Sequence, residues 1–189
     1  AWRGQAEAPL AGVVEGLIAE HGPVHVLVNN TGGPPSGPLL EADEADFLAP
    51  LGRHLFASHL LVKALLPGMV EAGFGRIVNV GTNLFQNPVV PYHDYTASKA
   101  ALLSLTRTLA ADLGADGITV NMVSGGLLRT TDASSATPEA VFDLIAASTP
   151  LQRVVTPEEF ADALLFFASP WSRSVTGQNL VVDGGLVKD

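Results

Sequence analysis

Short apolar runs alternate with helical patterns along the whole chain. Apolar residues three and four positions apart predict a first helix over 10–18, which a His-Gly-Pro turn at 21–23 ends. Nearly all-apolar runs predict buried strands over 24–28, 76–81, 118–123 and 180–182. Between them, helical patterns cover about 45–72, 92–113, 138–147 and 157–168. This alternation predicts an α/β fold in which helices cover both faces of a parallel sheet.

Proline and glycine set the expected boundaries of these elements. Pro50 and Pro67 fall within the second helical pattern, and we expect them to break or bound it because proline lacks an amide hydrogen and its ring clashes with the preceding turn. The segment from Gly125 to Thr137 has the composition of a loop. No internal repeat or linker interrupts the chain, so residues 1–189 are expected to form a single domain.

Composition narrows the classes of partner. Of the 189 residues, 10 are Lys or Arg and 19 are Asp or Glu, and the net charge of −9 would repel nucleic acid. No apolar run approaches the ~18 residues of a membrane span. The absence of cysteine fits a cytoplasmic protein and excludes thiolate metal sites. The five histidines provide no pair of ligands on one helix face, so no metal site is expected.

The pair Tyr95 and Lys99 is the first candidate for chemistry. A spacing of four in a helix places the two side chains on one face. A phenol with a pKa near 10 is a poor acid–base catalyst at neutral pH unless its anion is favoured. A cation at ~4 Å could supply on the order of 4 kcal/mol, or at most about three pKa units. The same spacing also fits a surface tyrosine and lysine, so the pair alone leaves both interpretations open.

Five motifs in chain order give the pair a context. They are Asn29-Asn30-Thr31-Gly32, Thr82 thirteen residues before Tyr95, the Tyr95/Lys99 pair, Ile118-Thr119-Val120-Asn121 and Val181-Val182-Asp183-Gly184-Gly185. Over essentially the whole chain, this order resembles the short-chain dehydrogenase/reductase family, and most of all its 3-oxoacyl-acyl-carrier-protein reductases. The resemblance implies a doubly wound, Rossmann-like fold, NAD or NADP as cofactor, and a small-molecule carbonyl or alcohol as substrate.

The resemblance also assigns roles to residues. Tyr95 would be the general acid–base, and Lys99 would lower its pKa and hold the nicotinamide ribose. Thr82 stands where the family has a serine that hydrogen-bonds the substrate oxygen, and His54 stands where it has an asparagine that positions a relay water. Further contacts to the cofactor would come from Asn30, Thr31 and Gly32 and, beyond the third strand, from Gly126, Leu128 and Thr130.

Three substitutions depart from the family pattern. Thr82 keeps the hydroxyl but adds a methyl, and it could instead cap local backbone. His54 could relay protons, or it could be a buried histidine with a structural role; both remain open. Gly125 replaces a common proline, so we expect the following loop to be more mobile and to become ordered on cofactor binding.

A fourth departure is the family's opening Thr-Gly-x-x-x-Gly-x-Gly turn, which does not occur in this sequence. The glycine-rich stretch 32–38 has the wrong spacing, and its three prolines lack the amide hydrogens that bind phosphate. We therefore expect the chain to correspond to the C-terminal two-thirds of the domain, without about sixty residues that form two β-α units. Those units would bind the adenosine and determine whether the protein prefers NAD or NADP.

The leading hypothesis is an NAD(P)-dependent reductase of a ketone or 3-oxoacyl thioester, and the rival is a non-catalytic scaffold or regulatory subunit. A hydrolase that uses Thr82 or Ser98 is disfavoured because no Gly-x-Ser-x-Gly sequence is present. The family resemblance further implies a homodimer or homotetramer formed through the two long helices and the last strand. The leucine- and alanine-rich segments 55–66 and 100–113 would supply such a face.

Overall fold

Four parallel strands form the sheet in the part of the chain that the structure describes. The structure is a computed structural model and describes residues 7–32, 38–131 and 134–188. The strands follow one another in spatial order as β1 (Val26–Asn29), β2 (Gly75–Thr82), β3 (Ile118–Gly125) and β4 (Asn179–Val182). All their pairings are parallel, so the carboxyl ends of the four strands meet at one edge of the sheet.

Helices connect the strands and cover both faces of the sheet. They are α1 (Glu7–His21), α2 (Glu44–Leu51), α3 (Ala57–Ala72), α4 (His93–Leu113), α5 (Glu139–Ser148) and α6 (Pro157–Ala168). Side chains of α1, α3 and α4 pack on one face around Ile77 and Val120, and α6 packs on the other around Val78 and Val123. Successive residues of a strand point to opposite faces, which explains why β2 and β3 are apolar nearly throughout. The predicted α/β fold is confirmed.

A chain of buried amides ties the sheet to α4. Asn29 donates to the side-chain oxygen of Asn79 at 2.8 Å, and Asn79 donates to the hydroxyl of Thr106 at 2.8 Å. All three side chains are buried. Because a buried amide without a partner is destabilising, these bonds fix β1, β2 and α4 in one relative position.

The prediction that prolines break or bound the second helix was wrong for Pro67, which lies inside α3, whereas α2 ends one residue after Pro50. Helices α2 and α3 are joined by a π-helical turn over Gly52–Phe56, so that helical structure runs from Glu44 to Ala72 with both Pro50 and Pro67 inside it. A proline within a helix costs about 3 kcal/mol. The α3 residues Val62, Leu65 and Met69 are buried in the core, and at about 1.5–3 kcal/mol each they outweigh that cost.

The same continuous helical segment is long and apolar enough, by length and composition alone, to cross a membrane. A helix in the core of a protein can be equally long and apolar, and here three α3 side chains are buried in the core together with side chains of α1 and α4. Part of the apolar surface nevertheless faces outward, since Leu48, Phe56 and Val70 are exposed. The packing of the described residues therefore accounts for only some of the apolar character of this segment.

Two glycines allow a close crossing at the amino-terminal edge of the sheet. Gly73 ends α3 in the left-handed region with a φ of 59°, and Gly117 precedes β3 with a φ of 75°. A Cβ atom added to Gly117 would overlap the backbone carbonyl oxygen of Gly73. Only glycine satisfies both the backbone conformation and the contact at residue 117.

We therefore expect Gly117→Ala to lower the free energy of unfolding by about 2 kcal/mol or more. Alanine is strained in the left-handed conformation, and its Cβ would also clash with the Gly73 backbone. The matched control is Gly114→Ala, three residues earlier, where φ is −61° and a Cβ would meet nothing within 4 Å. That control should leave stability unchanged or raise it by up to about 1 kcal/mol. Denaturant unfolding of both variants measures the difference, and equal stabilities would contradict the prediction.

Candidate active site

The ammonium of Lys99 is buried at the carboxyl-terminal edge of the sheet. Lys99 lies in the second turn of α4, with only 2% of its side chain exposed. Its Nζ donates to the backbone carbonyl of Val80 at 2.8 Å and to that of Thr31, just beyond β1, at 3.1 Å. Burial lowers the pKa of Lys99 from 10.5 to about 8. Near neutral pH the side chain is therefore still a cation.

Tyr95 lies one helical turn before Lys99, as the spacing predicted. Its ring centroid is 5.9 Å from the Lys99 Nζ. Burial raises the pKa of the Tyr95 phenol, and a hydrogen bond with the Thr82 side chain opposes the rise. The expected lowering of this pKa by Lys99 is thus not seen here. The ammonium is held by two carbonyl groups, and the loss of hydration around the phenol dominates instead.

Thr82 caps local backbone and also lies beside the Tyr95 phenol. It is the last residue of β2 and is buried. Its Oγ1 accepts from the backbone N–H of Leu84 at 3.3 Å, which begins a single 3₁₀ turn over Asn83–Phe85. The same side chain hydrogen-bonds Tyr95. A hydroxyl that caps local backbone is in this fold also next to the phenol.

His54 lies in the π-helical turn and points into the same cluster. Its side chain is fully buried, its Nδ1 is 2.7 Å from the Ser98 hydroxyl, and its ring packs edge-on to Tyr95 with centroids 5.5 Å apart. Burial, followed by the charges of Lys99 and Arg53, lowers the pKa of His54 from 6.5 to about 4. The ring is neutral at physiological pH. It is a buried histidine and also a neighbour of the Tyr95/Lys99 pair.

Of the three residues after β1 expected to contact a cofactor, Thr31 contacts the Lys99 ammonium. Thr31 supplies one of its carbonyl acceptors, whereas Asn30 and Gly32 are exposed. A Cβ on Gly32 would meet nothing within 4 Å, so open space lies beside it. The remainder of this glycine- and proline-rich loop, residues 33–37, lies outside the described residues.

The three residues beyond β3 with the same predicted role differ in environment. Gly126 packs closely on the neighbouring loops, because a Cβ there would lie 3.1 Å from both Asn83 and Asp183. The side chain of Leu128 packs into the core on the α6 face. Thr130 is exposed, with a φ of 60° that is unusual for a β-branched residue, and its hydroxyl donates to the Arg129 carbonyl at 2.7 Å.

Gly125 does not begin a loop, contrary to the sequence expectation. It is the last residue of β3 and pairs with Thr82 on one side and with Val182 on the other. A Cβ at Gly125 would lie 3.0 Å from the Phe160 ring of α6, so this ring fills the space that a larger residue would need. Loss of the family's proline is therefore accompanied by tight packing at this residue, and the mobility expected of the loop that follows stays a prediction.

Asn83, Asp183 and Ser98 complete the cluster and were not predicted to belong to it. Asn83, directly after Thr82, donates to the Asp183 carboxylate at 2.9 Å. Asp183 also accepts three backbone N–H groups of residues 185–187, all at 3.0 Å, and so fastens the closing loop to the Thr82 turn. The signal available for Ser98 was its position three residues after Tyr95, on the same helix face.

Comparison with known proteins places this arrangement in a family. The family model described as enoyl-(acyl carrier protein) reductase matches residues 5–187. The chain belongs to the short-chain dehydrogenase/reductase family. It is accordingly an NAD(P)-dependent oxidoreductase by family, and the predicted family and fold class are confirmed.

Individual members of the family resemble the chain over most of its length. A 3-oxoacyl-acyl-carrier-protein reductase of Thermotoga maritima is 35% identical over 177 residues, which cover 93% of this chain and 71% of the relative. A 7alpha-hydroxysteroid dehydrogenase of Escherichia coli is 32% identical over 184 residues, which cover 97% and 72%. Similar sequences thus carry names for different substrates, and the similarity does not select one of them.

A solved structure agrees with the fold. A gluconate 5-dehydrogenase from Burkholderia cenocepacia, crystallised in complex with NADP and tartrate, superposes with a TM-score of 0.88 at 29% identity. The alignment covers 95% of this chain and 71% of that one. The chain thus spans about seven-tenths of the length of the proteins it matches.

The residues present fit the nicotinamide end of such a cofactor. Two N–H groups of the Lys99 ammonium are used on backbone carbonyls, which leaves the third for a ligand hydroxyl. This ammonium lies at the carboxyl ends of the strands, the edge at which dinucleotides bind in open α/β sheets. An ammonium N–H at this edge of the sheet is therefore suited to donate to a ribose hydroxyl of the cofactor.

The buried His54 ring should make stability depend on acid pH. Its folded pKa of about 4 lies below the ordinary 6.5, so the unfolded chain takes up a proton first as the pH falls. The stability that the neutral ring contributes is complete above pH 6.5 and is lost as the pH falls through about 4. The loss is on the order of 3 kcal/mol, since each pKa unit corresponds to about 1.4 kcal/mol.

We therefore expect His54→Gln to flatten the acid limb of the stability curve measured by denaturant unfolding at a series of pH values. His59→Gln, which changes an exposed histidine on the adjoining helix, is the control and should leave that limb as in the wild type. An equal loss of stability in acid for His54→Gln and the wild type would show that this ring is not responsible.

Proposed function

We propose that the protein reduces the carbonyl group of a small molecule to an alcohol, with Tyr95 as the proton donor. When bound, NADH or NADPH supplies the hydride. The observation that carries the proposal is that Tyr95, Thr82 and Lys99 meet at the carboxyl-terminal edge of the sheet. Tyr95 and Thr82 are hydrogen-bonded, and the buried Lys99 ammonium lies within 6 Å of the phenol ring. These groups can donate a proton to a carbonyl oxygen and stabilise the charge that develops on it.

At neutral pH the Tyr95 phenol holds the proton that the reductive direction requires. Burial raises its pKa, so the phenol keeps its proton at neutral pH. The protonated form is the one that can donate to the oxygen as the carbonyl becomes an alcohol. Thr82 has a hydroxyl next to the phenol, and it could also donate to the substrate oxygen.

Lys99 and the loops around it would hold the cofactor. The third N–H of the Lys99 ammonium would bind a ribose hydroxyl, while its charge persists up to a pH of about 8. Asn30, Thr31 and Gly32 would contact the cofactor beside it. Gly126, Leu128 and Thr130 would do so beyond β3, with Leu128 acting through its backbone because its side chain packs in the core. His54 would serve the proton relay that replenishes Tyr95.

The substrate class proposed is a 3-oxoacyl thioester or a related ketone. It is supported by the relative from Thermotoga maritima that is named as a 3-oxoacyl-acyl-carrier-protein reductase. A cytoplasmic location would suit such a substrate. Oxidation of NADPH and of NADH by the intact protein, followed with a 3-oxoacyl thioester and with simple ketones, tests both the activity and the class.

The expected effect of Tyr95→Phe is a fall in kcat of about a hundredfold or more, because the proton donor is removed while the ring remains. The chain offers a matched control in its other tyrosine, Tyr92, whose ring centroid is 6.4 Å from that of Tyr95. Tyr92→Phe should leave kcat unchanged. Full carbonyl reduction by Tyr95→Phe would refute the assignment of the donor.

We also propose a homodimer or homotetramer, formed through the long helices and the last strand. Exposed apolar side chains support this on two surfaces. One includes Phe56, in the π-helical turn, and the other includes Leu165 and Trp171, at and after α6, with Leu180 on β4. Trp171 is 79% exposed, which is unusual for the side chain that has the largest apolar area.

Phe56→Glu and Leu165→Glu are each expected to reduce the mass of the oligomer that light scattering measures for the intact protein. The reason is that each substitution would bury a charge at one interface. A tetramer would become a dimer with either change. Leu40→Glu, at a loop position that is 99% exposed, should leave the mass unaltered. A monomeric wild type would contradict the proposed assembly.

A further inference from the structure

Helix α5 is attached to the rest of the protein by few contacts. Of its ten residues, all of which the structure describes, only Phe142 is buried. The Phe142 ring belongs to neither of the two apolar clusters that the described residues form on the faces of the sheet. Pro138, which precedes the helix, supplies no capping hydrogen bond. Because so short a helix is marginally stable by itself, its position must depend on the contacts near its ends.

Both ends of α5 lie at the carboxyl-terminal edge of the sheet. After the helix, Thr149 is buried and packs on Gly184, where a Cβ would lie 3.3 Å from the Thr149 side chain. Gly184 lies in the closing loop, which is fastened to the Thr82 turn. Before the helix, the chain leaves β3 at Gly125, which pairs with Thr82. The helix therefore spans the edge at which the proposed catalytic groups meet.

Arg129, in the loop after β3, makes two contacts with the start of α5. Its Nη1 lies 2.7 and 2.9 Å from the two carboxylate oxygens of Glu139, the first residue of the helix. Its guanidinium carbon lies 4.5 Å from the centroid of the Phe142 ring. Glu139 and Phe142 are three residues apart and so lie on one face of the helix. One cation thus joins the loop to α5 through an ion pair and a cation–π contact.

The backbone next to Arg129 is held in a strained conformation. Thr130 has a φ of 60°, in the left-handed region that is unfavourable for a β-branched residue. Before it, the side chain of Leu128 packs in the core and that of Arg129 contacts α5. After it, Thr131 and Ser134 are joined through their backbones at 3.0 Å and their hydroxyls at 2.8 Å. Such strain persists only where neighbouring contacts fix the chain, which indicates that these contacts determine the path of the loop.

We propose that Arg129 is a positioning residue that holds α5 against the carboxyl-terminal edge of the sheet, so that the helix bounds the space in which the substrate binds. Helix α6 differs, because it begins with a capping box at Thr156 and buries both Phe160 and Phe167. In α5 the Arg129 contacts take the place of such a cap. The effect on substrate rests on the proposed function, whereas the attachment of the helix does not.

Hydrogen exchange of the α5 amides measures this attachment without cofactor or substrate. In the intact protein, Arg129→Met should raise the exchange rate of residues 139–148 about tenfold, the combined effect of an exposed ion pair and a cation–π contact. Arg153→Met is the matched control. Arg153 forms an ion pair of the same kind with Glu159 of α6, so its loss should leave exchange in α5 unchanged. Equal exchange of α5 in Arg129→Met and in the wild type would overturn the proposal.

A second variant isolates the ion pair. Glu139→Gln removes it but leaves the arginine on the Phe142 ring, so exchange in α5 should rise less than in Arg129→Met, by roughly threefold. Adding Glu139→Gln to Arg129→Met should cause no further rise, because the carboxylate no longer has its cation. If Glu139 acted only through the helix dipole, its loss would have the same effect with or without Arg129, and that result would contradict the role of the pair.

The salt dependence of exchange gives an independent test of the same pair. The side chains of Arg129 and Glu139 are 39% and 68% exposed, so dissolved ions can screen their attraction. Raising the ionic strength should therefore increase the exchange of α5 in the wild type and have little effect in Glu139→Gln. An equal response to salt in both proteins would show that this ion pair does not hold the helix.

In the reaction, the loss of Arg129 should change KM rather than kcat. Tyr95 and Thr82 are on α4 and β2, which Arg129 does not contact, so kcat of Arg129→Met should stay within about twofold of the wild type. KM for the carbonyl compound should rise roughly threefold or more, because α5 would be in place for a smaller fraction of the time. Arg129→Lys keeps the charge and should restore most of the affinity. A fall in kcat at unchanged KM would contradict a positioning role.

The two kinds of measurement separate the inference from the function on which it rests. If the wild-type protein reduced no carbonyl compound, the proposed function would fail, whereas exchange would still decide whether Arg129 holds α5. If the wild type is active but exchange in α5 does not respond to Arg129→Met, the function stands and the role of Arg129 is refuted. If exchange responds and KM does not, α5 is held by Arg129 but does not bound the substrate space.

Discussion

The structure of the site depends on the burial of one ammonium group. Transfer of a lysine cation from water into the interior is unfavourable by several kcal/mol unless it is hydrogen-bonded. Lys99 therefore bonds to backbone carbonyls where parallel strands end, at Val80 and just after β1 at Thr31. This requirement sets how α4 crosses the sheet, and the crossing in turn places Tyr95 opposite Thr82.

Helix α4 is fixed from both sides by polar contacts of different kinds. Toward the sheet, the amides of Asn29 and Asn79 connect the strands to Thr106. Toward the π-helical turn, Ser98 bonds to His54. Apolar contacts have no preferred direction, whereas buried hydrogen bonds require a defined distance and angle and are lost when the helix shifts. The polar network therefore provides the precision that a proton donor requires.

Much of the fold could be predicted because it depends on local periodicity. Apolar strands and the spacing of Tyr95 and Lys99 are determined by residues close in sequence. The failures depend on distant contacts. Pro67 remains helical because Met69 and its neighbours are buried by elements far along the chain, and Gly125 stays in its strand beside a ring of α6. Likewise, the bond between His54 and Ser98 joins residues 44 positions apart, which no spacing rule indicates.

The pKa of the phenol was the least predictable property, and the reason is general. Charge attraction between Lys99 and Tyr95 can be anticipated from their spacing, but desolvation depends on the whole fold. Burial moves the pKa of Tyr95 up and those of Lys99 and His54 down, so all three shifts favour the neutral form. At neutral pH this leaves a protonated phenol, an uncharged imidazole and a single cation. In such dry surroundings one cation stabilises a developing oxyanion far more than it would in water.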